Sequence, residues 1–319
     1  MTYKRFLRSV LRHRLFAAGV WRVAASVDAV ASQASRLARK MKRNGGTVVY
    51  DGIPLRFPPN VGVDFLSSIY WRGREGYEPN VWRVLRQLLP RSRSFVDIGA
   101  HIGFYTVLAQ RLCPDLSFLA FEPVPELFAA AREFLIANGV GVGGLHQLAL
   151  GDRDGEAKLF LPVDYLTMGS LAAPLAGHEC REVPVALKRL DTFLEKQSLR
   201  GPVTIKLDVE DYEYAVLKGA EQTIARYRPY IVCELLPRAH HNAGAIGLIY
   251  ELGYAPFAIT RDGCFRMSRE DFTRERPFRD FILIPAERVA PSRLFVPFDE
   301  LGVESEISPK KSIPGQGGA

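Results

Sequence analysis

The sequence predicts an α/β protein in which a mainly parallel sheet is covered by helices on both faces. From residue 94 onward, short apolar runs of strand length alternate with amphipathic runs of helix length, as in parallel sheets with crossover helices. The 319-residue chain is 47% hydrophobic and 24% charged, which excludes a disordered chain and a multispanning membrane protein. A glycine-bearing turn follows the first of these strands, where such sheets bind ligands.

The four cysteines lie far apart and include no C-x-x-C pair. This spacing matches neither a disulfide framework nor a zinc ribbon. A reducing, cytoplasmic compartment is therefore the simplest expectation.

The excess positive charge lies in residues 1–43, which contain eleven Lys or Arg and one Asp. Because the whole chain has a formal net charge of +7, the remaining body is mildly acidic, and no nucleic-acid partner is expected. Apolar residues recur at helical spacing between Phe6 and Trp21, over a stretch too short to span a membrane. Two interpretations stay open: peripheral contact with anionic lipid at the inner membrane face, or a helix packed on the domain.

We divide the chain into a basic amphipathic helical segment at 1–45, a main domain at 46–290 and a C-terminal tail at 291–319. The tail is rich in Ser, Pro, Lys and Gly beyond Glu304 and is expected to be partly disordered. The main domain begins with an N-terminal hairpin and helix at 46–93, because Asp51-Gly52 joins two β-type runs before an amphipathic run.

The α/β core of the main domain is predicted at 94–290, with an insertion near 155–187 that has strand-like runs of its own. The predicted strands are SFVDIG, LSFLAFEP, GLHQLAL, VTIKLDV and YIVCEL, and the predicted helices lie at 103–112, 125–137, 212–227 and 242–252. The apolar run FILIP after a hairpin signal predicts an antiparallel strand added to this sheet.

The turn after the first core strand has the pattern D-x-G-x-x-x-G, formed by Asp97, Gly99 and Gly103. Glycines at such a turn permit positive φ and close backbone approach, and the helix that follows offers free N–H groups. A dinucleotide site needs G-x-G-x-x-G, but His101 stands where its second glycine would admit the pyrophosphate. The pattern therefore argues against a nicotinamide or flavin cofactor.

Glu122 ends the next predicted strand, 25 residues after Asp97. In doubly wound sheets a carboxylate at this position accepts hydrogen bonds from ribose hydroxyls. A nucleoside ligand without a diphosphate fits both features, and S-adenosyl-L-methionine is the obvious one. A plain helix-start residue before Pro123 is the alternative interpretation of Glu122.

The chain resembles the FkbM-type methyltransferases, a branch of the S-adenosylmethionine-dependent enzymes with a seven-stranded, Rossmann-like class I methyltransferase sheet. The resemblance covers roughly residues 75–236 and rests on YEPNVWRVL, VDIGAHIGFYT, AFEPVPELF, LALGDRDGEAKLFLP, VPVALKRLDTFL, IKLDVEDYEYAVLKGA and RPYIVCEL. It implies O-methylation of a hydroxyl on a sugar, glycan or secondary metabolite. The cofactor-binding residues that it implies are Glu78, Asp97, Gly99, Ala100, His101, Gly103, Phe104, Glu122, Pro123, Ala149 and Asp152.

Two positions depart from the family's usual pattern. His101 stands where the family usually has a small polar residue, and Asp211 stands where it usually has glycine. His101 could face the methionine tail or the acceptor, and Asp211 at a helix start could be of local use only. Glu78 could reach the cofactor's amino group or cap a helix.

We place the reaction at three carboxylates, Asp208, Glu210 and Glu234, which follow or end the fourth and fifth parallel strands. They could remove a proton from an acceptor hydroxyl, or bind a divalent, Mg²⁺-like cation. Alternatively, Glu210 caps the next helix and only Asp208 acts. A loop histidine of the pair His240-His241 could serve as the base instead.

A rival interpretation is a non-catalytic cofactor-binding module that its basic N-terminal helix holds at a membrane or partner. It predicts cofactor binding without turnover on any hydroxyl acceptor. The sequence makes no prediction of the oligomeric state.

Overall fold

A computed structural model describes residues 45–59, 61, 66–163, 171, 179–236, 243–273 and 278–301. The basic N-terminal segment, the pair His240-His241 and the end of the predicted tail lie outside these described residues. The chain divides into two compact units, Met1–Tyr77 and Glu78–Ala319. Each is described by itself below.

In the first unit, β1 (Gly46–Tyr50) and β2 (Ile53–Phe57) form an antiparallel hairpin. The turn residues Asp51 and Gly52 both have positive φ, at 49° and 80°, as a tight two-residue hairpin turn requires. Alternate side chains of the two strands are buried, and helix α1 follows at Leu66–Arg72. The predicted hairpin is confirmed.

The second unit begins with helix α2 (Pro79–Leu88) and is built on a nine-stranded sheet. Its strands are β3 (Ser94–Ile98), β4 (Ser117–Phe121), β5 (Leu145–His146), β9 (Val203–Leu207), β10 (Tyr230–Glu234), β11 (Tyr254–Ile259), β12 (Cys264–Arg266), β13 (Asp280–Pro285) and β14 (Phe295–Val296). The order across the sheet is β14-β12-β11-β13-β10-β9-β3-β4-β5.

The five adjacent strands β5, β4, β3, β9 and β10 pair in parallel. The strand β13 pairs antiparallel with both β10 and β11. The mixed α/β sheet and the added antiparallel strand are therefore as predicted. Among the described residues this sheet has nine strands where the resemblance implied seven, because β12 and β14 extend the sheet beyond β11. The strand β14 lies within the segment that we assigned to the tail.

The insertion forms a separate three-stranded sheet of β6 (Ala149–Leu150), β7 (Gly155–Pro162) and β8 (Cys180–Lys188). The run GLHQLAL, predicted as a single strand, is split between two sheets: β5 pairs with β4, and β6 pairs with β8. A continuous apolar run does not reveal this change of partner.

The helices that cover the sheet are α3 (Phe104–Leu112), α4 (Pro125–Ala137), α5 (Leu190–Phe193), α6 (Glu213–Lys218), α7 (Glu221–Tyr227), α8 (Ala243–Glu251) and α9 (Arg269–Thr273). One side of the sheet packs with α5 to α8 in a single apolar cluster. The opposite side contacts α2 and α3. The single helix predicted at 212–227 is interrupted at Gly219-Ala220.

The buried Asp191 carboxylate explains where α7 begins. It accepts hydrogen bonds from the backbone N–H groups of Gln222 and Thr223 at 3.1 and 2.8 Å, and from the Thr223 hydroxyl at 2.7 Å. A carboxylate at a helix N-terminus satisfies donors that have no partner within the helix. The aspartate of the LDTFL motif thus has a structural role.

Among the residues that the structure describes, no helix is both long and apolar enough to cross a membrane.

Candidate active site

The turn after β3 is held by backbone contacts with the neighbouring strands. The N–H groups of Gly99 and Ala100 donate to the Phe121 carbonyl at 3.0 and 2.9 Å. Gly99 has φ +79°, and a Cβ there would overlap with the carbonyl group of Asp208. The conformational freedom that we assigned to ligand approach therefore serves first to let two chain segments meet.

Gly103 has φ +75° and begins α3 in a similar way. A Cβ at this position would lie 2.6 Å from the Leu135 side chain of α4. Glycine here permits close packing of two helices beside the turn. The next residue, Phe104, is buried, and its ring meets that of Tyr105 edge to face at 5.5 Å.

Glu122 follows β4 and is only 4% exposed. Its Oε2 accepts a hydrogen bond from the His101 backbone N–H at 2.8 Å, and its Oε1 accepts one from the Val124 N–H at 2.9 Å. The carboxyl group therefore faces the turn and not solvent. Burial raises the pKa of Glu122 to about 8, although both N–H groups favour the ionised form.

Asp97 lies on the inner part of the same edge and is 1% exposed. The Thr106 hydroxyl donates to its Oδ2 at 2.7 Å, whereas its buried Oδ1 accepts no hydrogen bond from any described residue. Burial raises the pKa of Asp97, and the nearby Lys206 opposes that effect. An acceptor buried beside a glycine turn is available to a polar group of a bound ligand.

The three predicted catalytic carboxylates meet at the carboxyl ends of β9 and β10. One oxygen from each of Asp208, Glu210 and Glu234 lies within 4.8 Å of the others. The sequence prediction missed Asp280, which pairs with Glu234 in the β10–β13 register. In the sequence, Asp280 is visible only as an acidic residue before the apolar run FILIP. It reaches the cluster because β13 lies between β10 and β11 in the sheet, out of chain order.

The pKa values of Glu210 and Glu234 rise because their carboxyl groups are buried near other carboxyl groups. Burial, followed by repulsion from Asp208 and Glu213, raises the pKa of Glu210 to about 7. Burial and repulsion from Asp208 and Glu210 also raise the pKa of Glu234 well above its ordinary value. Near neutral pH the cluster can therefore both hold and accept protons.

Lys206 provides a buried positive charge next to the cluster. Its Nζ donates to Asp208 Oδ2 at 2.8 Å and lies 5.0 Å from the centre of the Tyr105 ring. Burial opposes the charge, but attraction to Asp208, Glu78 and Asp97 outweighs burial and raises the pKa of Lys206 above its ordinary value.

Glu78 has φ 36° and precedes Pro79 at the start of α2, where its side chain makes no capping hydrogen bond. Instead, its Oε2 accepts a hydrogen bond from the Tyr105 hydroxyl at 2.6 Å. Of the two interpretations left open by the sequence, the structure therefore excludes helix capping by this side chain. A contact with the cofactor's amino group stays a prediction.

Positive φ at non-glycine residues clusters around the site. In addition to Glu78, it occurs at His101 (54°), Glu210 (50°) and Asp211 (76°). This conformation costs free energy for most side chains and is frequent at functional sites. At Asp211 it also explains why the family pattern has glycine.

The remaining predicted cofactor residues differ in their exposure to solvent. Ala149 is buried in the three-stranded sheet, whereas Asp152 is exposed and pairs with Arg153. Pro123 lies between Glu122 and the start of α4. Their contact with the cofactor stays a prediction.

An aromatic cluster beside Glu122 was not predicted. The His146 ring stacks on Phe121 at 5.4 Å and meets Phe193 edge to face at 4.9 Å. The backbone links the cluster to the site, since the Glu122 N–H donates to the His146 carbonyl at 3.1 Å. The sequence feature that could have indicated this cluster is His146, at the carboxyl end of the third parallel strand.

Comparisons with known proteins identify the family of this chain. A family model described as the Methyltransferase FkbM domain matches residues 97–256, half of the chain. Methyltransferase 1 of Beauveria bassiana is 30% identical over 183 residues, which cover 52% of this chain and 74% of that protein. The 31-O-demethyl-FK506 methyltransferase FkbM of Streptomyces tacrolimicus is 26% identical over 183 residues, covering 49% and 68%.

A crystal structure of methyltransferase FkbM from Methylobacillus flagellatus KT matches with 16% identity and a TM-score of 0.38, over 60% of this chain and 43% of that chain. The assignment rests on the sequence matches. This chain belongs to the FkbM family of methyltransferases.

Proposed function

We propose that this methyltransferase transfers the methyl group of S-adenosyl-L-methionine to a hydroxyl oxygen. The observation that carries the proposal is that acidic groups lie at two places on the carboxyl edge of one sheet, on either side of β3. Glu122 lies in the turn after β4, and the carboxylate cluster lies after β9 and β10. Ligands of such sheets bind along this edge.

Glu122 and Asp97 support the cofactor half of the proposal. The Glu122 carboxyl group is buried against the glycine turn and has lone pairs left for ribose hydroxyls. Asp97 Oδ1 is a buried acceptor in the same turn region. Methyltransferases in general use S-adenosylmethionine, and the His101 side chain occupies the place of the glycine that a dinucleotide needs.

The carboxylate cluster supports the acceptor half. A carboxylate takes the proton of the acceptor hydroxyl while that oxygen attacks the methyl carbon in line with the C–S bond. The C–S bond breaks, the electron pair remains on sulfur, and S-adenosylhomocysteine leaves. Asp208 is the preferred base, with Glu210 and Glu234 as neighbours that can hold the released proton.

The acceptor class is proposed from the relatives. The Streptomyces tacrolimicus relative is named for methylation at oxygen 31 of demethylated FK506. A hydroxyl on a secondary metabolite, a sugar or a glycan is the corresponding proposal for this chain. Contact of residues 1–43 with anionic lipid also stays a proposal, because those residues lie outside the described structure.

A divalent cation is a second way in which these carboxylates could act. Oxygen ligands within 4.8 Å of one another suit a Mg²⁺-like ion, which would lower the pKa of the acceptor hydroxyl. Turnover that survives EDTA would remove this alternative, whereas turnover that is lost with EDTA and restored by Mg²⁺ would establish it.

Calorimetry with S-adenosylhomocysteine and with NAD tests the cofactor, and only the former is expected to bind. For the acceptor, the purified protein is incubated with methyl-labelled S-adenosylmethionine and a small-molecule extract, and labelled products are identified by mass spectrometry. Asp208→Asn and Glu234→Gln are expected to lose turnover, while Glu221→Gln, at an exposed ion pair on α7, keeps it. Full turnover in both site variants would remove the reaction from this cluster.

The rival function, a non-catalytic cofactor-binding module, predicts binding of S-adenosylhomocysteine without labelled product from any hydroxyl acceptor. Binding of NAD alone would overturn both proposals.

A further inference from the structure

Lys206 is an unusual residue for its position in the sheet. All five residues of β9 are buried, and Lys206 is 5% exposed. Among the described residues it is the only buried lysine or arginine. Burying an ammonium group costs several kcal/mol unless it is paired, so an apolar residue would serve the strand better. A role in the site explains its presence.

The contacts of Lys206 direct its charge toward Asp208. Its side chain is 7% exposed and that of Asp208 is 26% exposed, so the ammonium is the more deeply buried partner of the pair. The Tyr105 ring, 5.0 Å from Nζ, offers its negative face to the ammonium. In the β3–β9 register, Lys206 is the partner of Asp97.

These contacts complete the fixation of Asp208. Its backbone N–H donates to the Ile98 carbonyl at 3.0 Å, and its own carbonyl packs against Gly99. The ion pair with Lys206 restrains the Asp208 side chain, because Lys206 Nζ donates to Oδ2 at 2.8 Å. Both the backbone and the carboxylate of Asp208 are therefore restrained by neighbouring residues.

Lys206 also balances the charge of the site. Burial and repulsion from Asp208 and other carboxylates raise the pKa values of Glu210, Glu234 and Asp280. The Lys206 ammonium is the buried positive charge next to these acids, and it donates to Asp208 Oδ2 at 2.8 Å.

We propose that Lys206 is a positioning residue for methyl transfer, whose buried ammonium orients the Asp208 carboxylate and serves as the built-in cation of the cluster. The inference deepens the proposed function and rests on it for the role of Asp208. It implies that turnover depends on Lys206 and not on a divalent cation.

The first test compares Lys206→Met, Lys206→Arg and the matched control Lys218→Met, which removes an exposed ion pair with Glu221. Lys206→Met is expected to lower kcat about 100-fold, because misplacement of a reacting group by about 1 Å has an effect of that size. The KM for S-adenosylmethionine and the affinity for S-adenosylhomocysteine stay unchanged. Lys206→Arg retains the charge, so its kcat lies between those of the wild type and Lys206→Met.

A residue that only fills space would tolerate methionine, which has a similar length. Wild-type kcat in Lys206→Met therefore overturns the proposal, and so does wild-type turnover that requires an added divalent cation. If Lys206→Met does not bind S-adenosylhomocysteine, Lys206→Gln takes its place in the comparison.

The second test needs no acceptor and uses Mn²⁺ alone as the probe. Removing the ammonium leaves the carboxylates without their neighbouring cation, so Lys206→Met is expected to bind Mn²⁺ about tenfold more tightly than the wild type. Binding is followed by electron paramagnetic resonance, with Lys218→Met as the control. Equal Mn²⁺ affinity in the wild type and Lys206→Met overturns the proposal even where no methylated product has been found.

The outcomes separate this inference from the proposed function. Failure to bind S-adenosylhomocysteine in the wild type contradicts the proposed function. Normal binding and turnover in the wild type, with equal turnover in Lys206→Met, contradicts only the role of Lys206.

Discussion

Replacing Glu122 with glutamine is expected to abolish the pH dependence of nucleoside binding. The Glu122 carboxyl group is 4% exposed and contacts the backbone N–H groups of His101 and Val124. Burial raises its pKa to about 8 in the empty protein. Ribose hydroxyls that donate hydrogen bonds to the carboxylate bind best to its ionised form, so binding releases a proton below pH 8.

The magnitude follows from the ionised fraction. At pH 6 about 1% of a group with a pKa of about 8 is ionised, so the affinity is expected to be about 100-fold weaker than at the plateau above pH 8. Glutamine cannot ionise, and its amide nitrogen cannot accept from a backbone N–H group. The variant therefore loses one of the two contacts with the His101 and Val124 N–H groups, which costs about 1–3 kcal/mol. Because glutamine also has no ionised form to accept from ribose hydroxyls, its affinity for the nucleoside is low at every pH.

The assay is calorimetric titration with 5′-methylthioadenosine between pH 6 and 9. This ligand retains the ribose but has no amino-acid tail, so its binding does not report titration near the tail. Glu126→Gln is the matched control, because Glu126 is an exposed residue of α4 that pairs with Arg181. A constant affinity of the wild type across this range, or the same rise in Glu122→Gln, would refute the reasoning.

Three further predictions concern stability, measured by urea unfolding with S-adenosylhomocysteine binding as a check of the fold. Gly99→Ala is expected to lower the free energy of unfolding by about 3 kcal/mol, because the added Cβ overlaps with the Asp208 carbonyl group. Gly139→Ala, with φ +72° but open space around the added Cβ, is expected to lower it by about 1 kcal/mol. Equal losses in the two variants would contradict the packing argument. Asp191→Ala is expected to lose about 2 kcal/mol through the lost α7 cap and Asp191→Asn less, so equal losses in the two would contradict capping. Asp211→Gly is expected to gain about 0.5–1 kcal/mol because φ is 76°, and a loss would contradict strain at that position.

Much of the site could be predicted because it lies along one edge of a parallel sheet. Glu122, Asp208 and Glu234 each end or follow a strand that is visible as a short apolar run, and Asp97 is the penultimate residue of such a strand. Parallel strands with crossover helices bring their carboxyl ends to one edge, so position along the chain is enough to predict neighbourhood. The cofactor contacts themselves, including Ala149 and Asp152, are still predictions.

Residues whose placement depends on strand order escaped the sequence analysis. Asp280 reaches the cluster because β13 inserts between β10 and β11, and its antiparallel direction puts its first residue opposite Glu234. His146 joins the site because β5 ends after two residues and the chain crosses to another sheet. Neither event leaves a periodicity in the local sequence.

The amino-acid sequence by itself determined the alternation of strands and helices, the family, and the carboxylates that end the parallel strands, because burial patterns and turn residues are local. Only the tertiary structure decided that the Asp208 carbonyl packs against Gly99, which leaves no room for a Cβ there. It also decided that the Lys206 ammonium is paired with the Asp208 carboxylate. Both depend on how β3 and β9 lie side by side. Contacts between strands distant in the chain are set by register and direction, which no local pattern encodes.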